Sequence, residues 1–107
     1  MRKLEIYRNR ELAGVLTEEP NKYTFRYNDA WYADSDKLAI SLTLPKTQQE
    51  HTAERLFPFF CNILAEGVNR KLQCRALKID EADDFGLLAA TAQYDTIGAI
   101  TVKPVAL

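Results

Sequence analysis

Four carboxylates cluster in the second half of the 107-residue sequence: Asp80, Glu81, Asp83 and Asp84. Carboxylate oxygens are good ligands for Ca²⁺ and Mg²⁺, so such a cluster could hold a divalent cation. Its spacing lacks the central glycine and the terminal glutamate of a calcium-binding loop. We therefore expect no metal site, and interpret the cluster as a solvated loop in which Asp83 or Asp84 caps the following helix.

Histidine and cysteine are the other residue types that could carry chemistry. His51 is the only histidine and closes the polar segment Lys46–His51. A catalytic base needs a positioned partner, and the sequence shows none, so we expect a solvated loop residue. Cys61 and Cys74 lack the close pairing of metal ligands, and we predict two reduced, partly buried thiols rather than a disulfide.

Several classes of function are disfavoured by what the sequence lacks. No glycine-rich phosphate loop precedes a helix, and the motifs GxSxG, CxxC and HExxH are absent. The net charge is -1 with acidic and basic residues interspersed, whereas nucleic-acid binding needs a clustered basic surface. No signal-peptide start or membrane-spanning apolar run is present. We predict one cytoplasmic domain over residues 1–107, with no catalytic residues, no cofactor, and no direct contact with nucleic acid or membrane.

The first half of the sequence alternates with the period of β-strands. Lys3–Tyr7, Leu12–Thr17 and Lys22–Tyr27 are spaced as a three-stranded antiparallel meander. Gly14 inside the second strand predicts a bulge or a close backbone contact. Leu38–Leu44, with the sequence LAISLTL, is predicted to be a further strand.

Trp31 and Tyr32 lie in the loop after the third strand. Aromatic side chains often anchor binding partners, so this loop could be a binding site. The alternative, which we favour, is that the loop closes one end of the core with Trp31 as its plug. Aromatic side chains supply much of the burial in any core.

From Thr52 onward the hydrophobic period becomes helical. Apolar residues of Leu56–Gly67, LFPFFCNILAEG, recur at i, i+3, i+4, i+7 and i+8, which is typical of a helix packed on a core. Pro58 fits its first turn, and Gly67 can take the left-handed conformation that ends it. A second helix is predicted over Val68–Ile79. Its apolar face is expected to comprise Val68, Leu72, Ala76 and Ile79.

A third helix is predicted to follow the acidic loop and to end at Tyr94–Thr96. Its buried stripe is expected to comprise Phe85, Leu88, Ala89 and Ala92. The final strand, Ile97–Lys103, should pair with an N-terminal strand because its apolar face needs cover. The predicted fold class is therefore α+β: a small, mostly antiparallel sheet of four to five strands with three short helices packed on one face.

Several segments match, in order, the motifs of one protein family. FPFFCNILAEG is similar to an FFxNLLPEG segment, Ser41–Pro45 to SLSLP and Tyr23–Tyr27 to YxFxY. Phe85–Leu88 resembles FDLL, and Tyr94–Thr101 resembles a D-x-x-G-A closing strand. These motifs belong to HipA-type kinases, the toxins of HipAB toxin–antitoxin systems, and essentially the whole chain resembles their N-terminal subdomain. Two departures are Ala65, where the family usually has proline, and Gly86, where aspartate is common.

The resemblance implies a function that the residues alone do not. The family's ATP-binding loop, catalytic aspartate and metal-binding aspartate lie in a larger remainder that this sequence lacks. In split HipBST systems, a small HipS protein similar to this subdomain binds a shortened kinase, HipT, as its antitoxin. The resemblance thus implies a HipS-like, non-catalytic regulatory subunit. Its partners would be a HipT/HipA-like serine/threonine kinase and, through the complex, a HipB-like helix-turn-helix protein.

Three alternatives remain open on the sequence alone. Met1 and the end at Val105–Leu107 favour a natural stand-alone protein, but a truncated piece of a kinase would look similar. The chain could also complete an active split kinase rather than inhibit it. An independent enzyme of unknown chemistry is the third alternative, against which the lack of a nucleophile–base constellation argues.

We expect the partner-binding surface at the turn after the first predicted helix and the start of the second. The predicted surface residues are Glu66, Gly67, Val68, Arg70 and Lys71. Turns on rigid scaffolds commonly carry binding residues. The resemblance implies that Val68 occupies the place of a bulky residue that wedges against the kinase in split relatives. Packing of the second helix is the equally weighted alternative for Val68, and the Trp31–Tyr32 loop is the next candidate surface.

Overall fold

The computed structural model describes residues 2–64, 67–91 and 100–105, which form a five-stranded sheet and four helices. In chain order the elements are β1 (Arg2–Arg8), β2 (Glu11–Glu19), β3 (Lys22–Tyr27), α1 (Asp29–Ala33), β4 (Glu50–Ala53), α2 (Pro58–Cys61), α3 (Gly67–Leu77), α4 (Asp84–Thr91) and β5 (Ile100–Pro104). The strand order is β4-β3-β2-β1-β5, and every neighbouring pair is antiparallel. The α+β class and the strand number are confirmed, and the short α1 adds to the three predicted helices.

The meander of β1, β2 and β3 follows the predicted alternation. Since successive side chains of a strand point to opposite faces, one face of the sheet is apolar and packs against the helices. The large strand side chains that are fully buried are Leu4, Ile6, Leu16, Phe25, Tyr27 and Val102. A two-residue loop joins β1 to β2, with φ of 50° at Asn9 and 70° at Arg10. Positive φ at both positions suits the right-handed twist of the flanking strands.

Gly14 shows both of the features expected of it. The β1–β2 register shifts between Ile6 and Tyr7, which marks a bulge in β2 next to the glycine. A Cβ atom on Gly14 would lie 2.5 Å from the Arg26 carbonyl oxygen and 2.7 Å from the Phe25 ring. Only glycine therefore allows β3 and its aromatic side chain to approach β2 this closely.

The chain returns to the sheet through β5, as predicted. Leu4 is paired with Pro104 and Ile6 with Val102, so β5 covers the open side of β1. The buried side chain of Val102 joins the core. Residues 97–99 of the predicted strand and the predicted helix end at Tyr94–Thr96 lie outside the described residues.

The predicted strand Leu38–Leu44 is wrong. Ile40 and Leu44 are buried whereas Leu38 and Leu42 are exposed, so the four residues do not share one face. The hydroxyl of Tyr27 replaces a neighbouring strand: it donates to the Leu44 carbonyl and accepts from the Ile40 N–H at 3.1 Å. Two backbone groups of this segment therefore form hydrogen bonds with a side chain, without pairing to a neighbouring β-strand.

The fourth strand is instead β4, which lies in the segment predicted to be polar loop and helix. His51 belongs to this strand and is buried with 8% exposure, so the predicted solvated position is wrong. Its Nε2 lies 2.8 Å from the Pro45 carbonyl oxygen and its Nδ1 lies 3.2 Å from Gln48 Nε2. Both ring nitrogens thus have a hydrogen-bond partner, which offsets the cost of removing the imidazole from water.

The helix predicted over Leu56–Gly67 is much shorter in the structure. Pro58 does lie in its first turn, but α2 ends at Cys61. The following amides of Ile63 and Leu64 bond to carbonyls three residues earlier, at 3.3 and 3.1 Å. Such i→i−3 bonds tighten the chain and end the α-helix. The buried residues of the segment are Leu56, Phe57, Phe60 and Leu64. Residues 65 and 66 lie outside the described residues.

Trp31 confirms the interpretation of the aromatic loop as a plug. It lies in α1 with 4% exposure, and its Nε1–H donates to the Leu38 carbonyl at 3.0 Å. The indole therefore closes the core and also holds the irregular segment that follows.

Candidate partner-binding surface

Helix α4 is fixed to the sheet through the carboxylates of the acidic cluster. The Asp83 carboxylate accepts the Gly86 N–H at 3.0 Å and so caps α4, as predicted. Arg2 donates to the same carboxylate at 2.8 Å and to Glu18 at 2.6 Å. The hydrogen bonds from Arg2 lower the pKa of Asp83, against the opposing effect of burial. Among the described residues, no group of three or more His, Cys, Asp or Glu side chains could hold a metal ion.

A second ion pair, between Arg70 and Asp84, fixes α3 to α4. Arg70 donates to the Asp84 carboxylate and to the Glu81 carbonyl, the latter at 2.6 Å. The hydrogen bond to Asp84 raises the pKa of Arg70 above its already high usual value. Arg70 was predicted to face a partner, but its guanidinium is engaged inside the domain. It therefore positions α3 rather than presenting a free cation.

The face predicted to be the buried apolar side of the second helix points to solvent instead of to the core. Val68 and Leu72 are 71% and 56% exposed, and Ala76 is also exposed. Ile79 lies beyond the helix and is half-buried, while Cys74 is the one buried side chain that α3 contributes among the described residues. Periodicity shows which side chains share a face, but it does not show which face meets the core. The link from Arg70 to α4 turns the Cys74 side inward.

The start of α3 is accessible, as expected for a binding surface. Gly67 has φ of 60°, the left-handed conformation predicted for it, but it begins α3 instead of ending the preceding helix. No neighbouring atom would lie within 4 Å of a Cβ added to it. Val68 points away from the core, which removes the helix-packing role and leaves the binding role as the prediction. Lys71 is exposed on the next turn. Glu66, the remaining predicted surface residue, lies outside the described residues.

The two cysteines flank this region as free thiols, as predicted. Cys61 is half-buried and Cys74 is buried. Burial, together with the nearby Asp84 carboxylate, raises the pKa of the Cys61 thiol. A thiol with a raised pKa is a poor nucleophile at neutral pH, so packing accounts for Cys61.

The Trp31–Tyr32 loop, the next candidate, offers less accessible surface. Trp31 is buried and Tyr32 is half-buried. Beside them lies an open groove lined by Arg8, Glu11, Lys37 and Leu38 among others. Lys37 pairs with Glu11 at 2.7 Å and lies over the Trp31 ring, so these two charged groups of the groove already bind each other.

Comparison with known proteins identifies the domain. The sequence model of the HipA N-terminal domain matches residues 4–103. The chain belongs to this family. A solved structure described as the N-terminal domain of HipA toxin superposes with a TM-score of 0.75 at 26% identity, covering 99% of this chain and 94% of that one.

Two curated relatives differ greatly in length. "Putative kinase Y4mE" of Sinorhizobium fredii is 30% identical over 105 residues, which is 97% of this chain but 25% of the relative. An uncharacterized protein of Haemophilus influenzae is 28% identical over 93 residues, 87% of this chain and 83% of the relative. The chain thus spans about a quarter of the first relative and most of the second. No helix within the described ranges is long and apolar enough to cross a membrane.

Proposed function

We propose that this HipA N-terminal domain is a HipS-like, antitoxin-like regulatory subunit without catalytic activity. It binds and controls a separate HipA/HipT-like serine/threonine kinase in the cytoplasm. The observation that carries the proposal is the family match over residues 4–103, combined with a sequence that contains no phosphate-binding loop. The Haemophilus influenzae relative supports it, because there the matched region makes up 83% of the protein.

The contact with the kinase is proposed at the start of α3. Gly67, Val68 and Lys71 project from a helix whose position is fixed through Arg70 and Asp84. A β-branched apolar side chain flanked by a cation is a suitable wedge, because it has few rotamers and loses little side-chain freedom on binding. Inhibition would be steric, with the domain holding the kinase in an unproductive conformation.

Completion of a split kinase is the second candidate. It is favoured by the Sinorhizobium fredii relative, in which the matched region is a quarter of a longer protein whose name contains the word kinase. In that case the same surface would bind the kinase, but binding would raise its activity.

The deciding experiment combines this chain with a HipA/HipT-like kinase from the same organism, sought first among the genes beside its own. We expect co-expression to relieve growth arrest, and the purified chain to lower the rate of serine/threonine phosphorylation. A rise in kinase activity would establish completion instead. If the two proteins do not bind and neither growth nor activity changes, both candidates are wrong.

A charge introduced at Val68 tests the surface. Val68→Asp should weaken kinase binding by about tenfold or more, as expected when an anchoring side chain is lost, and should leave thermal stability unchanged. Leu42→Asp is the matched control, because Leu42 is 99% exposed and lies in the segment between α1 and β4, outside α3. If Val68→Asp, Arg70→Ala and Lys71→Ala all bind as tightly as the wild type, the surface is misplaced.

Measuring whether the isolated chain binds ATP tests the proposal that it has no kinase activity of its own. We expect neither ATP nor duplex DNA to bind, and a HipB-like protein to associate only through the kinase. Isothermal titration with ATP is the simplest measurement. Micromolar ATP binding at one site per chain would contradict a purely regulatory role.

A further inference from the structure

Helix α3 carries an apolar stripe on its outer side. With 3.6 residues per turn, residues four apart lie nearly above one another, so Val68, Leu72 and Ala76 form one stripe opposite Cys74. All three stripe residues are exposed. Exposed apolar side chains that are contiguous, rather than scattered, mark a contact surface.

Basic side chains line one side of this stripe. Lys71 and Arg75 lie three and seven residues after Val68, both are exposed, and Gly67–Leu77 contains no acidic residue. Neither cation has an ion-pair partner within the part of the chain that the structure describes. Glu81 lines a shallow groove together with them, which leaves two positive charges against one negative.

The helix is also incompletely covered within the domain. Its eleven residues bury Cys74 and are tied to α4 through Arg70. Helices of this length are marginal in water without packing of an amphipathic face. A second contact on the outer side would therefore stabilise α3 as well as bury its apolar stripe.

We propose that the outer face of α3 receives a helix of the kinase whose apolar side chains are flanked by aspartate or glutamate. This face consists of Val68, Lys71, Leu72, Arg75 and Ala76. The inference rests on the proposed function and specifies the partner's chemistry. Apolar knobs would pack along Val68 and Leu72, as in helix-in-groove recognition, while carboxylates would pair with Lys71 and Arg75 and set the orientation.

The same charges disfavour other occupants of this face. A second copy of the chain would bring Lys71 and Arg75 close to their own equivalents, and like charges in close apposition repel. Nucleic acid would pair with the cations but would leave the apolar stripe exposed. An anionic membrane fits both features, but the stripe offers only Val68 and Leu72 as large apolar side chains to bury in lipid, since the third exposed one of the helix, Leu77, lies off this stripe.

The test measures binding of the HipA/HipT-like kinase used in the deciding experiment above to two variants of the full chain. Leu72→Ser removes the centre of the stripe, and the double variant Lys71→Glu with Arg75→Glu reverses the flank. Leu42→Ser and Lys22→Glu are the matched controls on exposed positions elsewhere. We expect about tenfold weaker binding from each α3 change, with the charge effect shrinking as salt is raised, and unchanged binding by the controls.

A charge swap identifies the partner residues. Changing an acidic residue on the contacting kinase helix to lysine should restore binding to the double variant of α3. Circular dichroism should show that every variant keeps its helix and strand content, because all substituted side chains are exposed.

The possible results separate the two proposals. If the wild-type chain does not bind the kinase, the proposed function fails and this inference with it. If the wild type binds and both α3 variants bind equally well, only this inference is overturned. A loss confined to Leu42→Ser, a charge effect that is independent of salt, or wild-type binding to phosphatidylserine vesicles that Leu72→Ser abolishes, would each overturn it as well.

Discussion

The sheet and helix α3 use their apolar residues in opposite ways. The inward faces of β1, β2 and β3 bury Leu4, Leu16 and Phe25 almost completely, against α2, α4 and the aromatic plug. Helix α3, by contrast, leaves Val68 and Leu72 in solvent and is held mainly by a charged link. This difference indicates that the sheet supplies most of the stability of the domain, whereas the outer side chains of α3 contribute little to it and remain available for the contact that we propose.

Two alanine variants, one in the sheet and one in α3, test this difference most directly through their effects on stability. Phe25→Ala should lower the free energy of unfolding by about 3–5 kcal/mol, the usual cost of removing a buried aromatic ring. Leu72→Ala should change it by less than about 0.5 kcal/mol, as surface substitutions do. Urea denaturation followed by circular dichroism measures both. A comparable loss from the two variants would mean that α3 packs more tightly than described.

A second pair of variants distinguishes a residue that holds α3 in place, Arg70, from one on its exposed surface, Lys71. Arg70→Ala should cost roughly 1 kcal/mol of stability, because a partly exposed ion pair and a hydrogen bond to a carbonyl are lost. Lys71→Ala, one residue away, should leave the thermal midpoint unchanged. Differential scanning calorimetry of the two variants is sufficient. Equal midpoints would show that the link from Arg70 to α4 contributes nothing to stability.

The anchoring of α4 should depend on pH. Arg2 lowers the pKa of Asp83 in the folded state, so this stabilisation is present above the unfolded pKa of an aspartate and is lost as the pH falls through the lowered folded value. Since Arg2 is about half exposed, we expect an effect below about 1 kcal/mol. Asp83→Asn keeps the cap acceptor but not the charge.

Thermal midpoints of wild type and Asp83→Asn should therefore differ at neutral pH and converge in acid. A constant gap across this range would mean that the difference does not depend on the charge of Asp83, and that the ion pair with Arg2 does not stabilise α4.

The smallest effect is expected at the hairpin between β1 and β2. Arg10 adopts φ of 70°, which is unfavourable for a residue with a side chain but suits glycine. Arg10→Gly should raise stability by roughly 0.5 kcal/mol, the strain relief less the added freedom of the unfolded chain. Asn9→Gly is the control, because asparagine already tolerates this conformation, and it should give no gain.

Local patterns predicted the meander of β1, β2 and β3 well because its determinants are local, whereas β4 was missed. The alternation in Lys22–Tyr27, the constraint at Gly14 and the capping carboxylate of Asp83 all depend on residues that are close in sequence or on one neighbouring strand. The segment Leu38–Leu44 was mispredicted because its backbone is satisfied by the Tyr27 hydroxyl, a tertiary contact.

The candidate surface was predicted in part. The left-handed Gly67 follows from its residue type, and the exposed Val68 came from the family resemblance rather than from periodicity. The engagement of Arg70 was missed, since Asp84 is fourteen residues away and only the folded chain brings them together. The direction in which α3 faces was missed for the same reason: an exposed apolar stripe has the same spacing along a helix as one that packs on a core.

The pairing of β5 with β1 has a consequence for how the domain is made. The first strand leaves the ribosome early, but the strand that covers its outer side begins at Ile100, and the Val105 N–H still bonds to the Lys3 carbonyl at 3.1 Å. Throughout synthesis of the intervening chain, β1 presents an unpaired edge that other strands can join. Folding is therefore completed only when the end of the domain emerges, and a chain interrupted before β5 would be directed toward aggregation or degradation.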